Sequence, residues 1–196
     1  MNLTLLILNQ INLFNIIFIV IGIFILFTVL FIITIVLFHK KVKQGQVLIR
    51  SGFGGTAIAF DRGIYVIPFL HQLEIMDITL KKIELDFLAS EAIICKNNLK
   101  ANIKTAFFVK VNASKDDILS VAKIIGCKNA SDAKALNNMF KTKFQEAIKT
   151  SAKKFTIEEI DNSTNGFRDT IIAELGRDHY GFSIEDLTVS FLNKVG

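Results

Sequence analysis

Residues with reactive side chains are few in this chain and lie far apart. The two cysteines, Cys95 and Cys127, match no zinc-ligand spacing, and two distant thiols are typical of a reducing compartment and not of a disulfide framework. We therefore expect ordinary buried or half-buried thiols. Lipid acylation of either cysteine is the alternative, although no motif around them favours it.

The histidines and the glycine-rich loop form no recognisable catalytic or cofactor motif. His39, His71 and His179 are isolated, and no pair has the one-turn spacing with a glutamate that a zinc hydrolase uses. Residues 51–56 lack the Gly-Lys-Ser/Thr ending of a phosphate-binding loop and precede a predicted strand, where no helix dipole faces a phosphate. There is no G-x-S-x-G motif, and only a Ser–Lys dyad, which needs no local signature, stays open. We predict that the chain is not an enzyme and binds no metal or cofactor.

The element that must position the rest of the chain is an uncharged segment near the N-terminus. Residues 3–38 contain no Asp, Glu, Lys, Arg or His, and residues 16–38 are almost wholly Ile, Phe, Leu and Val. About 20 apolar helical residues span the roughly 30 Å of a bilayer's hydrocarbon core. We predict a transmembrane helix, anchored through Ile16, Phe18, Ile23, Phe27, Leu30, Ile33 and Phe38.

The same segment is too long for a secretory signal, and no small-residue cleavage site follows it. We therefore expect an uncleaved anchor. The polar residues Asn9, Gln10, Asn12 and Asn15 predict that residues 1–15 form an interfacial lead-in. A longer, tilted helix that begins near Leu3 is the alternative.

Basic residues flank the anchor on one side only. Lys40, Lys41 and Lys43 follow it, whereas no Lys or Arg precedes it, so the positive-inside rule predicts a cytoplasmic C-terminal region and a short N-terminus outside. The net charge of +5 belongs wholly to the region after the anchor. Such a charge suits an anionic lipid surface or nucleic acid. The anchor favours lipid, and we predict no nucleic-acid partner; a surface that is simply rich in lysine is the remaining interpretation.

Alternating apolar and polar residues predict strands through residues 44–111. Short strands are predicted at 46–50, 56–60 and 64–67 and from residue 73, with turns at 52–55 and 61–63. Longer strands are predicted at 80–87 and 101–111. The first half of the soluble region is therefore expected to be β-rich.

The period then becomes helical. Ser114 and Thr156 each begin a capping box and predict one helix that ends at Gly126 and a short one over 156–161. Longer helices are predicted at 131–155 and 165–180, and a strand at 182–192 with a bulge at Glu185 and Asp186, where the alternation shifts phase. Strands followed by helices predict an α+β fold.

The helix predicted at 131–155 has a basic face opposite its apolar stripe, formed by Lys141, Lys143, Lys149, Lys153 and Lys154. Such a face is usually just solvated. Contact with acidic lipid or with a neighbouring subunit is the alternative.

Five segments carry a resemblance to a known family. They are His39-Lys40-Lys41 at the end of the anchor, residues 45–55 (GQVLIRSGFGG), residues 63–71 (GIYVIPFLH), residues 106–111 (AFFVKV) and residues 183–189 (SIEDLTV). In this order and spacing, the chain resembles the SPFH (band 7) superfamily of stomatins, prohibitins and flotillins, and most closely the flotillin-like inner-membrane proteins of bacteria. The resemblance spans nearly all of residues 16–196.

The resemblance implies a division into a lead-in and transmembrane anchor at 1–43, a β-rich, membrane-proximal SPFH subdomain at 44–90, and an α+β SPFH subdomain at 91–196. It also implies that the first subdomain could contact the cytoplasmic leaflet through Ile64, Tyr65, Val66, Ile67, Phe69 and Leu70. A buried core strand with its corner is the alternative for that segment.

The function implied is that of an oligomeric scaffold at the inner membrane that organises membrane microdomains, with itself, membrane lipids and a membrane protease or other membrane protein as partners. The alternative is a regulatory subunit of a membrane protease or other membrane complex. Flotillins continue into a long Ala/Glu-rich coiled coil that is absent from this sequence. The resemblance thus implies either a fragment of a longer protein or a short member of the family.

Overall fold

The computed structural model describes residues 2–162, 164–176 and 178–195. The α-helices in this part of the chain are α1 (Asn2–Phe38), α2 (Lys115–Ile124), α3 (Cys127–Ser131), α4 (Ala133–Ala152), α5 (Ile157–Asn162) and α6 (Thr164–Leu175). The strands are β1 (His39–Lys40), β2 (Gln46–Gly52), β3 (Ala57–Ala59), β4 (Ile64–Tyr65), β5 (His71–Asp77), β6 (Lys81–Phe87), β7 (Ile93–Ile94), β8 (Lys100–Val111), β9 (Asp178–His179) and β10 (Phe182–Val195). This mixture confirms the predicted α+β class.

Helix α1 is continuous from Asn2, which agrees with the longer-helix alternative. Its segment Phe14–Phe38 is long and apolar enough to cross a membrane, by length and composition. The hydroxyls of Thr28 and Thr34 donate to the carbonyl oxygens of Ile25 and Leu30 in the preceding turn, both at 2.8 Å. These two polar groups are therefore satisfied within the helix, as a hydrocarbon environment requires.

The first sheet is antiparallel and has β2 between β3 and β5. Leu48 of β2 is paired with Ala59 on one side and Ile75 on the other. Val47 and Ile49, which alternate along the strand, are both buried, and Leu48 between them is buried as well. Both faces of this central strand are therefore covered.

The second sheet has the order β6-β8-β10-β9, and β7 also pairs with β8. The alternation predicted for β8 is confirmed, since its inward side chains are at most 3% exposed: Ala101, Ile103, Thr105, Phe107, Val109 and Val111. The predicted bulge in β10 is also confirmed, because its register with β8 shifts between Ile184 and Asp186. The bulge lets one long strand change its alternation without leaving the sheet.

An aromatic cluster holds the helices on this sheet. The ring of Phe144 in α4 stacks on Phe107 of β8, with 4.2 Å between centroids, and on Phe140, at 5.2 Å. Phe140 meets Phe182 of β10 edge-on at 5.4 Å. Because burial of one such side chain contributes about 1.5–3 kcal/mol, this cluster fixes α4 across β8 and β10.

Both predicted helix caps are confirmed, and the one at Thr156 is a complete capping box. The Ser114 hydroxyl accepts a hydrogen bond from the Asp117 amide at 3.1 Å and begins α2. The Thr156 amide donates to the Glu159 carboxylate at 2.7 Å, and the Glu159 amide donates back to the Thr156 hydroxyl at 3.3 Å, which begins α5. Each helix start thereby has partners for amides that lack an intrahelical acceptor.

The helix predicted at 131–155 corresponds to α4, which ends at Ala152 and begins after Asp132. This residue has an extended backbone, and its carboxylate accepts from the amides of Lys134 (3.1 Å) and Ala135 (3.3 Å), so it caps α4. The short helix α3, which precedes this cap, was not predicted.

The helix predicted to reach residue 180 is too long. It ends at Leu175 because Gly176 adopts a φ of 77° in the left-handed region, which favours glycine and ends a helix. His179 then lies in β9 and is paired with Phe182. The helical period of the preceding residues hid this short strand.

The two sheets share one hydrophobic core that extends from Val47 to Val189. A hydrogen bond also joins them, since the Lys81 ammonium of β6 donates to the Asp77 carboxylate of β5 at 2.6 Å, and the Asp77 amide ties the first sheet to α3 by donating to the Ser131 hydroxyl at 2.9 Å. The division into subdomains at residue 90 stays a prediction. The pairing of β6 with β8 favours a division before Lys81, because a division at 90 separates two strands of one sheet.

Candidate membrane-anchoring site

The side chains predicted to anchor the chain lie on α1, outside the folded domain. Six of them are 47–70% exposed, namely Ile16, Phe18, Ile23, Phe27, Leu30 and Ile33, and Phe38 at the last turn is half-buried. Soluble monomers rarely expose a continuous apolar surface of this kind, because every such side chain gains free energy on leaving water. The surface of α1 therefore favours an apolar environment supplied from outside the chain.

The end of α1 is attached directly to the domain. The two residues after the helix form β1, which pairs antiparallel with β4, so that His39 is opposite Tyr65 and Lys40 is opposite Ile64. The Val66 amide donates to the carbonyl oxygen of Phe38 at 3.0 Å. The helix end and the 64–66 segment are thus held by backbone hydrogen bonds, with no flexible linker between them.

Gly63 makes this close approach possible. If residue 63 carried a Cβ atom, that atom would lie only 2.1 Å from Nε2 of His39 and 2.9 Å from the carbonyl oxygen of Lys40. The imidazole also lies beside the Tyr65 ring, with 5.1 Å between centroids. Because any side chain at residue 63 would overlap the imidazole of His39, the join between β1 and β4 requires glycine here.

Two loops next to this join are fastened to each other by His71. Its Nδ1 accepts from the Ile67 amide at 3.1 Å, and its Nε2 lies 3.0 Å from the carbonyl oxygen of Phe53. The Phe53 amide in turn donates to the carbonyl oxygen of Leu70 at 3.1 Å. Gly52 allows this contact, since a Cβ atom at residue 52 would lie 2.2 Å from the carbonyl oxygen of Leu70.

These loops present an exposed apolar patch, which we define as Phe53, Tyr65, Ile67, Phe69 and Leu70 (77%, 52%, 37%, 97% and 49% exposed). Of the other residues predicted for leaflet contact, Ile64 is half-buried and Val66 is only 6% exposed. Val66 therefore belongs to the protein interior and is not part of the patch. Sequence analysis missed Phe53, although its place between glycines in an exposed turn was a signal of exposure.

The predicted basic flank lies at the same join. Lys40 is in β1, Lys41 and Lys43 follow it, and all three are exposed. Arg50 of β2 donates from Nη1 to the carbonyl oxygen of Tyr65 at 3.2 Å, which ties β4 to the first sheet. The structure thus brings the helix end, the basic flank and the apolar patch together.

The predicted basic face of α4 is smaller than the sequence indicated. Lys143 lies with its ammonium 2.9 Å from Nδ1 of the buried His179, and Lys154 forms an ion pair with Glu174. Lys141, Lys149 and Lys153 are exposed, and no ion pair joins them to any described residue.

Both cysteines are buried, as expected, at 2% and 5% exposure for Cys95 and Cys127. Burial, with the Glu158 carboxylate nearby, raises the pKa of the Cys95 thiol. Burial and the Glu74 carboxylate raise the pKa of the Cys127 thiol to about 12. Since the thiolate is the reactive form, acylation of either residue is disfavoured. Among the residues that the structure describes, no group of His, Cys, Asp and Glu is placed to hold a metal ion.

Comparison with known proteins gives a consistent result. Residues 40–193 match the SPFH domain / Band 7 family. The flotillin family inner membrane protein YqiK of Escherichia coli is 24% identical over 172 residues, which are 85% of this chain and 31% of that protein. The flotillin family inner membrane protein sll1021 of Synechocystis sp. is 23% identical over 160 residues, which are 78% of this chain and 24% of that protein. The chain thus spans less than a third of either relative.

Proposed function

The chain belongs to the SPFH domain / Band 7 family, and from this membership we propose that it is a membrane-anchored, flotillin-like scaffold, not an enzyme, that oligomerises and organises membrane microdomains and their proteins. Its similarity to two flotillin family inner membrane proteins supports membrane association. The single observation that carries the proposal is the join described above, in which an exposed apolar helix passes without a linker into a strand paired with the domain.

In this proposal α1 spans the inner membrane once, with the domain in the cytoplasm and the N-terminus outside. The length and exposed apolar surface of Phe14–Phe38 support the span. Lys40, Lys41 and Lys43 support the orientation, because basic residues beside a span are retained on the cytoplasmic side. A domain held in this way is confined to two dimensions, close to the bilayer surface.

We also propose that the apolar patch dips into the cytoplasmic leaflet. Phe69 is the most exposed member of the patch, and the loop that carries it follows the Val66 amide bound to the end of α1. The chain contains no Trp, so the variant Phe69→Trp carries a single reporter. In bilayers we expect its fluorescence to be quenched by lipids brominated on the acyl chain.

The matched control is Tyr180→Trp, at an exposed turn between β9 and β10 of the second sheet. We expect a tryptophan at 180 to be unaffected by the same lipids. Equal quenching at both positions, or none at residue 69, contradicts leaflet contact by the patch.

Self-association is supported by surfaces on the second sheet and its helices. β6 is an end strand, and its outer edge pairs with no strand in the described part of the chain. Unpaired strand edges are potential contact sites for another chain. The exposed lysines of α4 offer a second, polar surface, on the helix that packs against β6 and β7.

The deciding experiment is the mass of the detergent-solubilised complex, measured by light scattering for this chain and for a version extended into a downstream coiled coil. A large closed assembly of this chain alone shows that the SPFH domain suffices. Assembly of the extended version only shows that the coil drives it. If neither assembles, the scaffold proposal fails, and a stoichiometric membrane protease in a pull-down then supports the regulatory-subunit alternative.

A further inference from the structure

Positive charge is concentrated next to the anchor. Residues 39–73 contain five basic residues, Lys40, Lys41, Lys43, Arg50 and Arg62, against one acidic residue, Asp61. Residues 74–196 contain eighteen basic and seventeen acidic residues. Of the net charge of +5, +4 therefore lies in the short segment that joins α1 and builds the first sheet, and the rest of the domain is nearly neutral.

These basic groups have no ion-pair partners among the residues that the structure describes. Lys40, Lys41, Lys43 and Arg62 are exposed, and none of them forms an ion pair with another described residue. Farther from the anchor some basic residues are paired, as in Lys81–Asp77 and Lys154–Glu174, and others, such as Lys141, are not, but acidic residues there are nearly as numerous as basic ones. The surface beside α1 is therefore distinguished by its excess of positive charge, not by its lack of ion pairs.

The fold gathers part of this charge in one corner. Gly63 lies against the His39 ring and the Lys40 carbonyl, so Arg62, which precedes it, is brought to the join although 21 positions of sequence separate it from Lys41. A cleft of about 350 Å³ lined by residues 58–64 opens at this corner. Arg62 lines this cleft beside Asp61, and Lys40 is paired with Ile64, which also lines it. This arrangement suits a phosphate, since arginine binds phosphate oxygens bidentately and lysine adds a point charge.

We propose that this corner binds the headgroup phosphate of an anionic phospholipid, with Lys40, Lys41 and Arg62 as the contacting groups. The inference rests on the membrane anchoring in the proposed function, which places the end of α1 at headgroup depth. A lipid is favoured over a free anion because the corner is continuous with both the anchor and the apolar patch. The headgroup phosphates of the bilayer therefore lie at the same depth as Lys40, Lys41 and Arg62. Basic side chains near an anionic leaflet strengthen binding additively.

The test uses the full chain carrying Phe69→Trp, reconstituted into lipid nanodiscs. Brominated phosphatidylglycerol and brominated phosphatidylcholine are compared at equal mole fraction in otherwise unbrominated bilayers of the same total composition. We expect severalfold stronger quenching by the anionic lipid. Substitution of all three contacting groups (K40Q, K41Q and R62Q) is expected to bring the ratio of the two quenching constants close to one.

Two control variants separate a site from a general charge effect. The substitutions K141Q, K149Q and K153Q remove the same charge from exposed positions of α4 and its C-cap and should leave the ratio unchanged. The substitutions K40R and K41R keep the charge and should retain the preference, which shows that loss in the glutamine variant is not misfolding.

Three results overturn the proposal. They are equal quenching by both lipids in the parent, an equal loss of preference in the α4 control, and loss of preference on addition of inorganic phosphate at constant ionic strength, which assigns the corner to a free anion. Failure of the anchoring itself is distinct, since the chain then does not co-purify with the nanodiscs. Failure of oligomerisation leaves this test unaffected, because a monomer has the complete corner.

Discussion

Nε2 of His71 donates a hydrogen bond to the carbonyl oxygen of Phe53 across 3.0 Å. The proton lies on this nitrogen because Nδ1 of the same ring accepts from the Ile67 amide. One imidazole thereby fastens the glycine loop after β2 to the loop before β5. Both loops carry the most exposed aromatic side chains outside α1, Phe53 and Phe69. The rigidity of the apolar patch therefore depends on a residue that is not part of it.

Replacement of His71 by Ala is predicted to loosen both loops without unfolding the domain. Each lost hydrogen bond is worth about 0.5–1.5 kcal/mol, so amide exchange at Ile67 should accelerate by roughly tenfold. Hydrogen–deuterium exchange with mass spectrometry of the full chain in detergent measures this. His71→Asn, which can still accept from the Ile67 amide, should protect that amide better, and unchanged exchange in His71→Ala argues against the clamp.

Replacement of Gly63 by Ala is predicted to open the join between β1 and β4. The new Cβ lies 2.1 Å from the His39 ring and 2.9 Å from the Lys40 carbonyl oxygen, so the pairing must shift. We expect a local cost of about 1–3 kcal/mol and faster tryptic cleavage after Lys40, Lys41 and Lys43.

The variant His39→Ala provides the matched test of that mechanism. In the double variant the imidazole no longer occupies the space, and only the backbone contact with Lys40 remains, so cleavage should be slower than in Gly63→Ala alone. Additive effects of the two substitutions contradict a direct clash between residues 39 and 63.

Loss of the Asp132 cap is predicted to destabilise α4. Asp132→Ala removes both acceptors of the Lys134 and Ala135 amides, at a cost of about 1 kcal/mol. The measurement is the thermal unfolding midpoint of the detergent-solubilised chain, which should fall by a few degrees. Asp132→Ser keeps a capping oxygen and should lose less; an equal loss in both variants contradicts the capping role.

The thiol of Cys127 is predicted to be inert at neutral and mildly alkaline pH. Its pKa is raised to about 12, so almost no thiolate exists in the folded protein at pH 8, and alkylation by iodoacetamide should be detectable only after unfolding. Since the unfolded thiol ionises near pH 9 and the folded one does not, the associated stability is complete below pH 9 and is lost as the pH rises toward about 12.

Cys127→Ala is the control for this titration. It should lack the part of the alkaline destabilisation that parent protein shows above pH 9. Rapid alkylation of the native chain at pH 8, with the product mapped to residue 127, contradicts the burial of the thiol.

Secondary structure was predictable where one local pattern decided it. The alternation along β8, the bulge in β10 and the helix caps at Ser114 and Thr156 involve residues only a few positions apart, and all were predicted correctly. The short helix α3 and the end of α6 at Leu175 were missed. At Leu175 the apolar period was compatible with a longer helix, which the positive φ of Gly176 ends.

The candidate site was predictable in its parts but not in its arrangement. The uncharged run, the three lysines and the apolar segment around Pro68 are visible in the sequence because each depends on neighbouring residues alone. The sequence by itself determined an apolar helix of membrane-spanning length, a basic flank and an α+β domain, since composition and period suffice for these. Only the tertiary structure decided that His39 packs on Gly63, that His71 joins Phe53 to Ile67, and that Lys40 is paired with Ile64 at the cleft that Arg62 lines. Those contacts join residues many positions apart, and their free energy arises from packing and hydrogen bonding that no local pattern encodes.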